Sequence, residues 1–214
     1  MIIAGDLAAP EPGHIQLLSW VFENNPQVFA GKNFLCNFEG LLYAPAVRHH
    51  TPVLYNHPDV VNVLAQNGQV TLALANNHIL DLPGQFKDTI QVFRSLGISY
   101  TGASHSRDEA KRPLVIEENG KEIVIFNACW DFLLYNQKNP TNGVYVYEIN
   151  ERDLISTVAN FHQNKPDVEI VVYLHWNFDL ETLPFPLHRQ LARALIDSGA
   201  RIVAGTHSHC VQGG

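Results

Sequence analysis

The sequence predicts one α/β domain in which two mainly β sheets pack face to face with helices outside them. Three observations carry that expectation. The runs 70–75 and 168–174 are apolar nearly throughout, as expected of strands buried on both faces. Between such runs lie stretches whose apolar residues recur at helical spacing and which stop at glycine. The 214 residues, 46% hydrophobic and 16% charged, suffice for one well-buried core, and no internal repeat or long linker marks a second unit. The domain is therefore expected to span 1–214.

The elements follow in order. Residues 1–4 form a strand that Gly5-Asp6 closes, with Asp6 at its carboxyl end. Pro10, Pro12 and Gly13 turn the chain into a helix over 14–22, with Ile15, Leu18, Val21 and Phe22 on its apolar face. A strand over 33–36 ends in Asn37-Phe38-Glu39-Gly40. Each of the two carboxylates, Asp6 and Glu39, has a plainer use as a turn former or helix cap. Residues 41–58 read as an irregular surface loop, with Pro45, Pro52, Pro58, Arg48, His49, His50 and His57. Asp59 is expected to cap a helix that runs through Ala65 and that Gly68 stops.

The buried strand 70–75 runs into Asn76-Asn77-His78, with Asp81 three residues on. Phe86, Ile90, Phe93 and Leu96 mark a helix over 86–96, ended by Gly97, and a short strand covers 98–102. The runs 114–116 and 122–127 flank Asn119-Gly120, the pair preferred in a type I′ hairpin turn. Alternating Val and Tyr predict a strand over 144–149, and 153–162 predicts a helix. The strand 168–174 ends in His175-Trp176-Asn177. A helix over 187–198 stops at Gly199. The last buried strand, Ile202 to Ala204, is broken by Gly205 before Thr206-His207-Ser208-His209.

Composition excludes several classes. Lys and Arg total 14 against 21 Asp and Glu, a net charge of −7, which disfavours non-specific nucleic-acid binding. The three cysteines, Cys36, Cys129 and Cys210, form no C-x-x-C, so a thiolate zinc site is not expected, and their odd number suits a reducing compartment. No apolar run approaches the roughly 20 residues that span a bilayer, and the N-terminus has no signal-peptide pattern. The expectation is a cytoplasmic protein, or a membrane-associated one if the sequence is trimmed from a longer chain.

The 11 histidines are the compositional oddity, and four of them fall at strand ends. Five strands end in Asp6, Glu39, Asn77-His78, His175 and His207-x-His209. Open α/β sheets bind ligands beyond the carboxyl ends of their strands. Alone, the His-x-His stretch reads as well as a solvated turn. Together the five ends gather four imidazoles, two carboxylates and an amide, a mixed N/O set suited to Zn²⁺, Mn²⁺ or Fe. That is more than one tetrahedral ion uses. It suggests two ions sharing a bridging carboxylate, the device of phosphatases and nucleases.

The order Gly5-Asp6, Asn37-x-Glu39-Gly40, Ala75-Asn76-Asn77-His78-x-x-Asp81, Leu174-His175-Trp176 and Gly205-x-His207-x-His209 resembles the CapA family. That family is named for bacterial poly-γ-glutamate capsule biosynthesis and belongs to the calcineurin-like metallophosphoesterase superfamily. The resemblance covers Gly5 to Gln212 and implies a four-layer α/β/β/α sandwich of the calcineurin-like metallophosphatase type. It implies that Asp6 and His209 hold one metal, that Asn77, His175 and His207 hold the other, and that Glu39 bridges them. It puts His78 beside the scissile phosphate as acid or charge stabiliser, with Asp81 orienting it; for Asp81 a turn or helix cap is an equal alternative.

Four features depart from the pattern. Ala8 stands where the wider superfamily's Asp-x-His has its histidine, and a Glu replaces the usual bridging Asp. Asn177 stands where many relatives have glycine, and the sequence stops at Gly214, before the family's next strand and Gly-Asn-Phe turn, as a trimmed end or a short variant would. The function implied is a hydrolase in which two divalent metals, Mn, Zn or Fe, activate water for attack on a phosphate ester of a small or polyanionic substrate. The alternative is a non-hydrolytic poly-γ-glutamate synthesis or export protein with a degenerate metal site. A plain metal-binding module is the third class.

Overall fold

The structure, a computed structural model, describes residues 1–44, 53–137 and 141–213. Arg48, His49 and His50 of the expected loop lie outside the described residues. The first half of the chain runs β1 (Ile2–Leu7), α1 (Pro12–Asn24), α2 (Pro26–Phe29), β2 (Asn33–Phe38), β3 (Leu41–Leu42), β4 (Tyr55–Asn56), α3 (Val60–Gln66), β5 (Gln69–Ala73), α4 (Phe86–Ser95) and β6 (Ser99–Thr101). The second half runs β7 (Ala103–Ser104), α5 (Arg107–Lys111), β8 (Leu114–Glu118), β9 (Lys121–Cys129), β10 (Tyr145–Val146), α6 (Glu151–Asn164), β11 (Glu169–Trp176), α7 (Pro186–Asp197) and β12 (Ile202–His207).

Two four-stranded sheets carry the fold. One is parallel, in the order β1-β2-β5-β6; the other, in the order β12-β11-β9-β8, is parallel except for β8. Each strand's pleat splits its residues between two cores. Cys36, Phe38, Leu72 and Leu74 face outward onto Phe22, Leu64 and Phe93 of α1, α3 and α4. Phe126, Val172 and Leu174 face outward onto Leu154, Val158, Leu191 and Leu195 of α6 and α7. Leu35, Ala73, Ile125, Val171 and Tyr173 face inward and meet between the sheets. The result is the expected four-layer α/β/β/α sandwich. Burial of each large side chain in these cores stabilises it by about 1.5–3 kcal/mol.

Polar residues on the inward faces align the two sheets. Asn127 of β9 accepts from the Ala75 backbone N–H at 2.8 Å and donates to the Tyr173 carbonyl at 3.0 Å. The Tyr173 hydroxyl crosses the same gap to donate to the Ala4 carbonyl at 2.7 Å. These bonds fix the carboxyl ends of β1, β5 and β11 relative to one another.

Local expectations hold with some corrections. The hairpin β8–β9 turns through Asn119 and Gly120, both at positive φ as a type I′ turn requires. Asp59 does not cap α3: its backbone is helical, and its carboxylate lies 3.5 Å from His57 Nδ1 instead. The strand over 144–149 shrinks to Tyr145–Val146, paired with the two-residue β7; beyond it Glu148 makes an isolated bridge to Cys129, the last residue of β9. Within the loop over 41–58, β3 and β4 pair in parallel. The last strand is not buried: β12 is a sheet edge, and Ile202 is 40% exposed. Gly205 does not break it but lies inside it, opposite Leu174. A Cβ on Gly205 would stand 2.3 Å from Trp176 Nε1, so glycine is there for close approach.

Candidate metal centre

The inward faces of β2 and β11 end in Asn37 and His175, each two residues past the intersheet core of Leu35 and Tyr173 in the same pleat. Two departures from that pleat bring further residues to the same cleft. In β1 the register slips between Ile3, opposite Leu35, and Asp6, opposite Asn37, so β1 carries one residue more than β2 over this stretch. A one-residue bulge flips every later side chain to the other face, and it turns Asp6 inward. In β12 the inward faces belong to Ala204 and Thr206, so regular alternation would send His207 outward toward α7. Its left-handed backbone, φ +89°, breaks the alternation, and its ring packs 4.8 Å from that of His175.

Glu39, His175 and His207 each offer a ligand atom within 4.8 Å of one another, and so do Asp6, Glu39 and His209. The two groups share Glu39. Asn77 joins the first through its Oδ1, 2.7 Å from His175 Nε2, and His209 Nδ1 lies 3.3 Å from Asp6 Oδ2. All six residues expected as ligands therefore meet at one end of the two sheets. His78 and Asp81 stand beside them: His78 Nδ1 is 2.9 Å from Asp81 Oδ2, which also accepts the Leu54 backbone N–H at 2.8 Å. Asp6 and Glu39 cap no helix, and Asp81 spends its carboxylate on His78 and Leu54.

The electrostatics are those of a site short of positive charge. Burial, then the charge of Asp6, pushes the Glu39 carboxyl up to about 7. Asp179 and Asp81 push the same way, and only His78 opposes them. Burial holds His175 well below the ordinary imidazole value, helped by repulsion from His207, His78 and His209; burial also lowers His207. Both shifts favour the neutral ring, the form that ligates metals. Burial would lower His78 too, but the hydrogen bond and charge of Asp81, with Glu39 and Asp6, raise it above its ordinary value. The buried His207 Nδ1 has no hydrogen-bond partner among the described residues. Neutral imidazoles, crowded carboxylates and an orphaned ring nitrogen make a donor set that a divalent cation fits.

Two asparagines were legible only as motif letters. Asn37, fully buried, donates to Asp6 Oδ1 at 2.7 Å and lies 3.1 Å from His175 Nδ1 and 3.5 Å from Glu39 Oε1. Asn76, also fully buried, donates to Asn37 Oδ1 at 3.1 Å and to the Phe38 carbonyl at 2.9 Å, and accepts from the His78 backbone at 3.1 Å. Thr206 Oγ1, 3.0 Å from His175 Nδ1, completes the support of that ring. The signal was available: buried polar residues have to be hydrogen-bonded, and Asn37 inside its buried strand bonds a ligand candidate, Asp6, while Asn76 in turn bonds Asn37.

The sequence matches the family described as bacterial capsule synthesis protein PGA_cap over residues 11–214. It is 26% identical to the capsule biosynthesis protein CapA of Bacillus anthracis over 160 residues, 72% of this chain and 38% of that protein. It is 28% identical to the PGA biosynthesis protein CapA of Bacillus subtilis over 162 residues, 74% of this chain and 42% of that one. The chain thus spans less than half the length of these relatives.

Among solved structures, a hypothetical protein from Thermus thermophilus superposes with a TM-score of 0.56 at 16% identity, over 97% of this chain and 67% of its own. A Staphylococcus aureus protein described as a 5′-nucleotidase, in complex with α-ketoglutarate, superposes with a TM-score of 0.57 at 13% identity, over 92% of this chain and 42% of its own. Such likenesses speak for the fold, which is that of the calcineurin-like phosphoesterases. The family match runs through every strand end that carries a ligand candidate except the first, at Asp6, and by it this chain is a member of the PGA_cap family of bacterial capsule synthesis proteins.

Proposed function

We propose that this chain is a metal-dependent phosphoester hydrolase whose activity serves poly-γ-glutamate capsule synthesis. The observation that carries the reading is the pair of ligand groups sharing Glu39, with the His78–Asp81 pair beside them. Asp6 and His209 would hold one divalent ion, Asn77, His175 and His207 the other, and Glu39 would bridge the two. Bound ions would polarise a phosphoryl oxygen and make a water molecule a better nucleophile at neutral pH. The chain's own residues do the rest. Asn37 fixes the orientation of the Asp6 carboxylate by donating to its Oδ1, and the Thr206 hydroxyl accepts from His175 Nδ1, which leaves His175 Nε2 to face an ion. His78 Nδ1 is engaged by Asp81, which leaves Nε2 as the atom that gives a proton to the leaving oxygen. The hydrogen bond and charge of Asp81 favour the protonated form of His78 against the effect of its burial.

Metal analysis of the purified protein, followed by a phosphoester panel assayed with Mn²⁺, tests the proposal. Turnover that chelation abolishes and Mn²⁺ restores is the expected result. A second reading rests on Ala8, which stands where the wider superfamily has a further histidine ligand. In that reading the centre binds metal without turning over, and the chain serves capsule assembly by binding. Bound metal with no hydrolysis of any ester would favour it. The described residues contain no helix long and apolar enough to cross a membrane.

A further inference from the structure

The loop after β11 is built around a residue that the metal centre does not use. Asn177 sits in the left-handed region, at φ +78°, and is 2% exposed. Its amide donates to the Leu183 carbonyl and accepts from the Phe185 backbone N–H, both at 3.3 Å. One buried side chain thus closes the loop 178–185 on itself. The loop is also tied to the His-x-His stretch: the Leu180 N–H donates at 2.9 Å to the carbonyl of Ser208, between His207 and His209.

Held this way, the loop presents Phe178 and Phe185 to Trp130 and Phe132, which follow β9. Ring centroids are 5.2 Å apart for Trp130 and Phe178, 4.9 Å for Trp130 and Phe132, and 5.7 Å for Phe178 and Phe185. The base of this wall is packed: Trp130 stands edge-on to the buried ring of His188 at 4.6 Å. Its face is open, with Phe132 56% and Phe178 38% exposed. The Trp130 backbone N–H donates to the His175 carbonyl at 2.9 Å, so the wall rises beside a strand end that bears a ligand candidate. Contiguous exposed aromatic side chains on a rigid base mark a binding surface. Asp131 and Asp179 flank the wall in sequence, and among the described residues its four rings, Trp130, Phe132, Phe178 and Phe185, bring no cation to pair with a carboxylate. That disfavours a polyanion and favours the flat face of a neutral ring.

We infer that this wall is a subsite for a planar aromatic group of the substrate, an aryl ring or a nucleobase. The inference rests on the proposed hydrolase reading and names its substrate class. The test is titration calorimetry of the Mn²⁺-loaded protein with phenyl-, benzyl- and 2-phenylethylphosphonate, each against methylphosphonate. Stacking of one base on aromatic side chains is worth enough that at least one aryl compound should bind roughly 5- to 100-fold tighter than the methyl compound. Phe132→Ala and Phe178→Ala should bring that ratio toward one. So should Asn177→Gly, which tolerates the left-handed backbone but lacks the clamp. Methylphosphonate binding with no aryl preference in the wild type overturns the subsite and leaves the hydrolase reading standing. An aryl preference that survives both Phe substitutions also overturns it, since the ring then binds elsewhere. Failure of every phosphonate to bind would overturn both readings.

Discussion

Replacing Glu39 with Gln removes a carboxyl group from a cleft that already holds Asp6, and without metal the change should alter how stability depends on pH. Burial and the Asp6 charge raise the Glu39 pKa from 4.5 to about 7 in the fold. A carboxyl group raised in this way binds its proton more tightly folded than unfolded. Its stabilisation is complete below pH 4.5 and is lost as pH rises through about 7. The difference, at about 1.36 kcal/mol per pH unit, corresponds to about 3 kcal/mol. Burial lowers the pKa values of His175, His207 and His188, which gives the opposite slope, so the informative quantity is the difference between two proteins that share these residues. The assay is urea unfolding of chelator-treated wild type and Glu39→Gln between about pH 4.5 and 8. Relative to the variant, the wild type should lose about 3 kcal/mol over that range. Mn²⁺ should restore the loss, because ligation requires the ionised carboxylate, and binding below about pH 7 should release a proton. Parallel stability curves for the two metal-free proteins would refute the reasoning.

His175→Ala and His207→Ala should each lower bound metal, measured by mass spectrometry of metals after dialysis; unchanged stoichiometry in both would reject them as ligands. His78→Ala should keep its metal and lose roughly 10²–10⁴-fold in kcat with KM little changed, whereas equal turnover would remove His78 from the reaction. Asp81→Asn takes away the charge that raises the His78 pKa, so the protonated donor is lost earlier as pH rises, and the alkaline limb of kcat should move to lower pH. Gly205→Ala drives a methyl group against Trp176 and should cost about 1–3 kcal/mol, a fall of roughly 2–12 °C in Tm, with β12 and its terminal His207 displaced. An unchanged Tm would show that the indole gives way freely.

The layers of this fold were legible because its central strands are uniform. The runs through Leu72 and Val172 are apolar on both faces, so they had to lie between a helix layer and another sheet. Edges and short pairs were not legible. Ile202-Val203-Ala204 has the composition of a central strand but pairs only with β11, and nothing local reveals that its other edge is open. Gly205 read as a strand breaker because glycine usually is one; its reason, the indole of Trp176, comes from the neighbouring strand. The same holds for 144–149, whose alternation is real but whose partners, the short β7 and Cys129 at the end of β9, are distant in sequence.

At the candidate centre the residue types were legible and their orientation was not. A period of two assigns Ile3 and Asp6 to opposite faces, and likewise Thr206 and His207, so strict alternation would scatter the ligand candidates over two surfaces. A bulge at Ala4-Gly5 and a left-handed residue at His207 overrule it. Both are costly locally: a bulge interrupts ladder bonds, and a non-glycine residue at φ +89° is strained. The surroundings offset these costs with named partners. The Ala4 carbonyl in the bulge takes the Tyr173 hydroxyl, and the His207 N–H donates to Asp6 Oδ2 at 3.0 Å. The strain at each of these strand ends is thus held by a bond that crosses between the sheets. Asn37 shows why the supporting bonds come from neutral groups. It stands between Asp6, Glu39 and His175, where a carboxylate would add a further negative charge to a cleft that already raises the Glu39 pKa to about 7. An amide donates to the carboxylate and leaves the charge of the centre to be met by a cation.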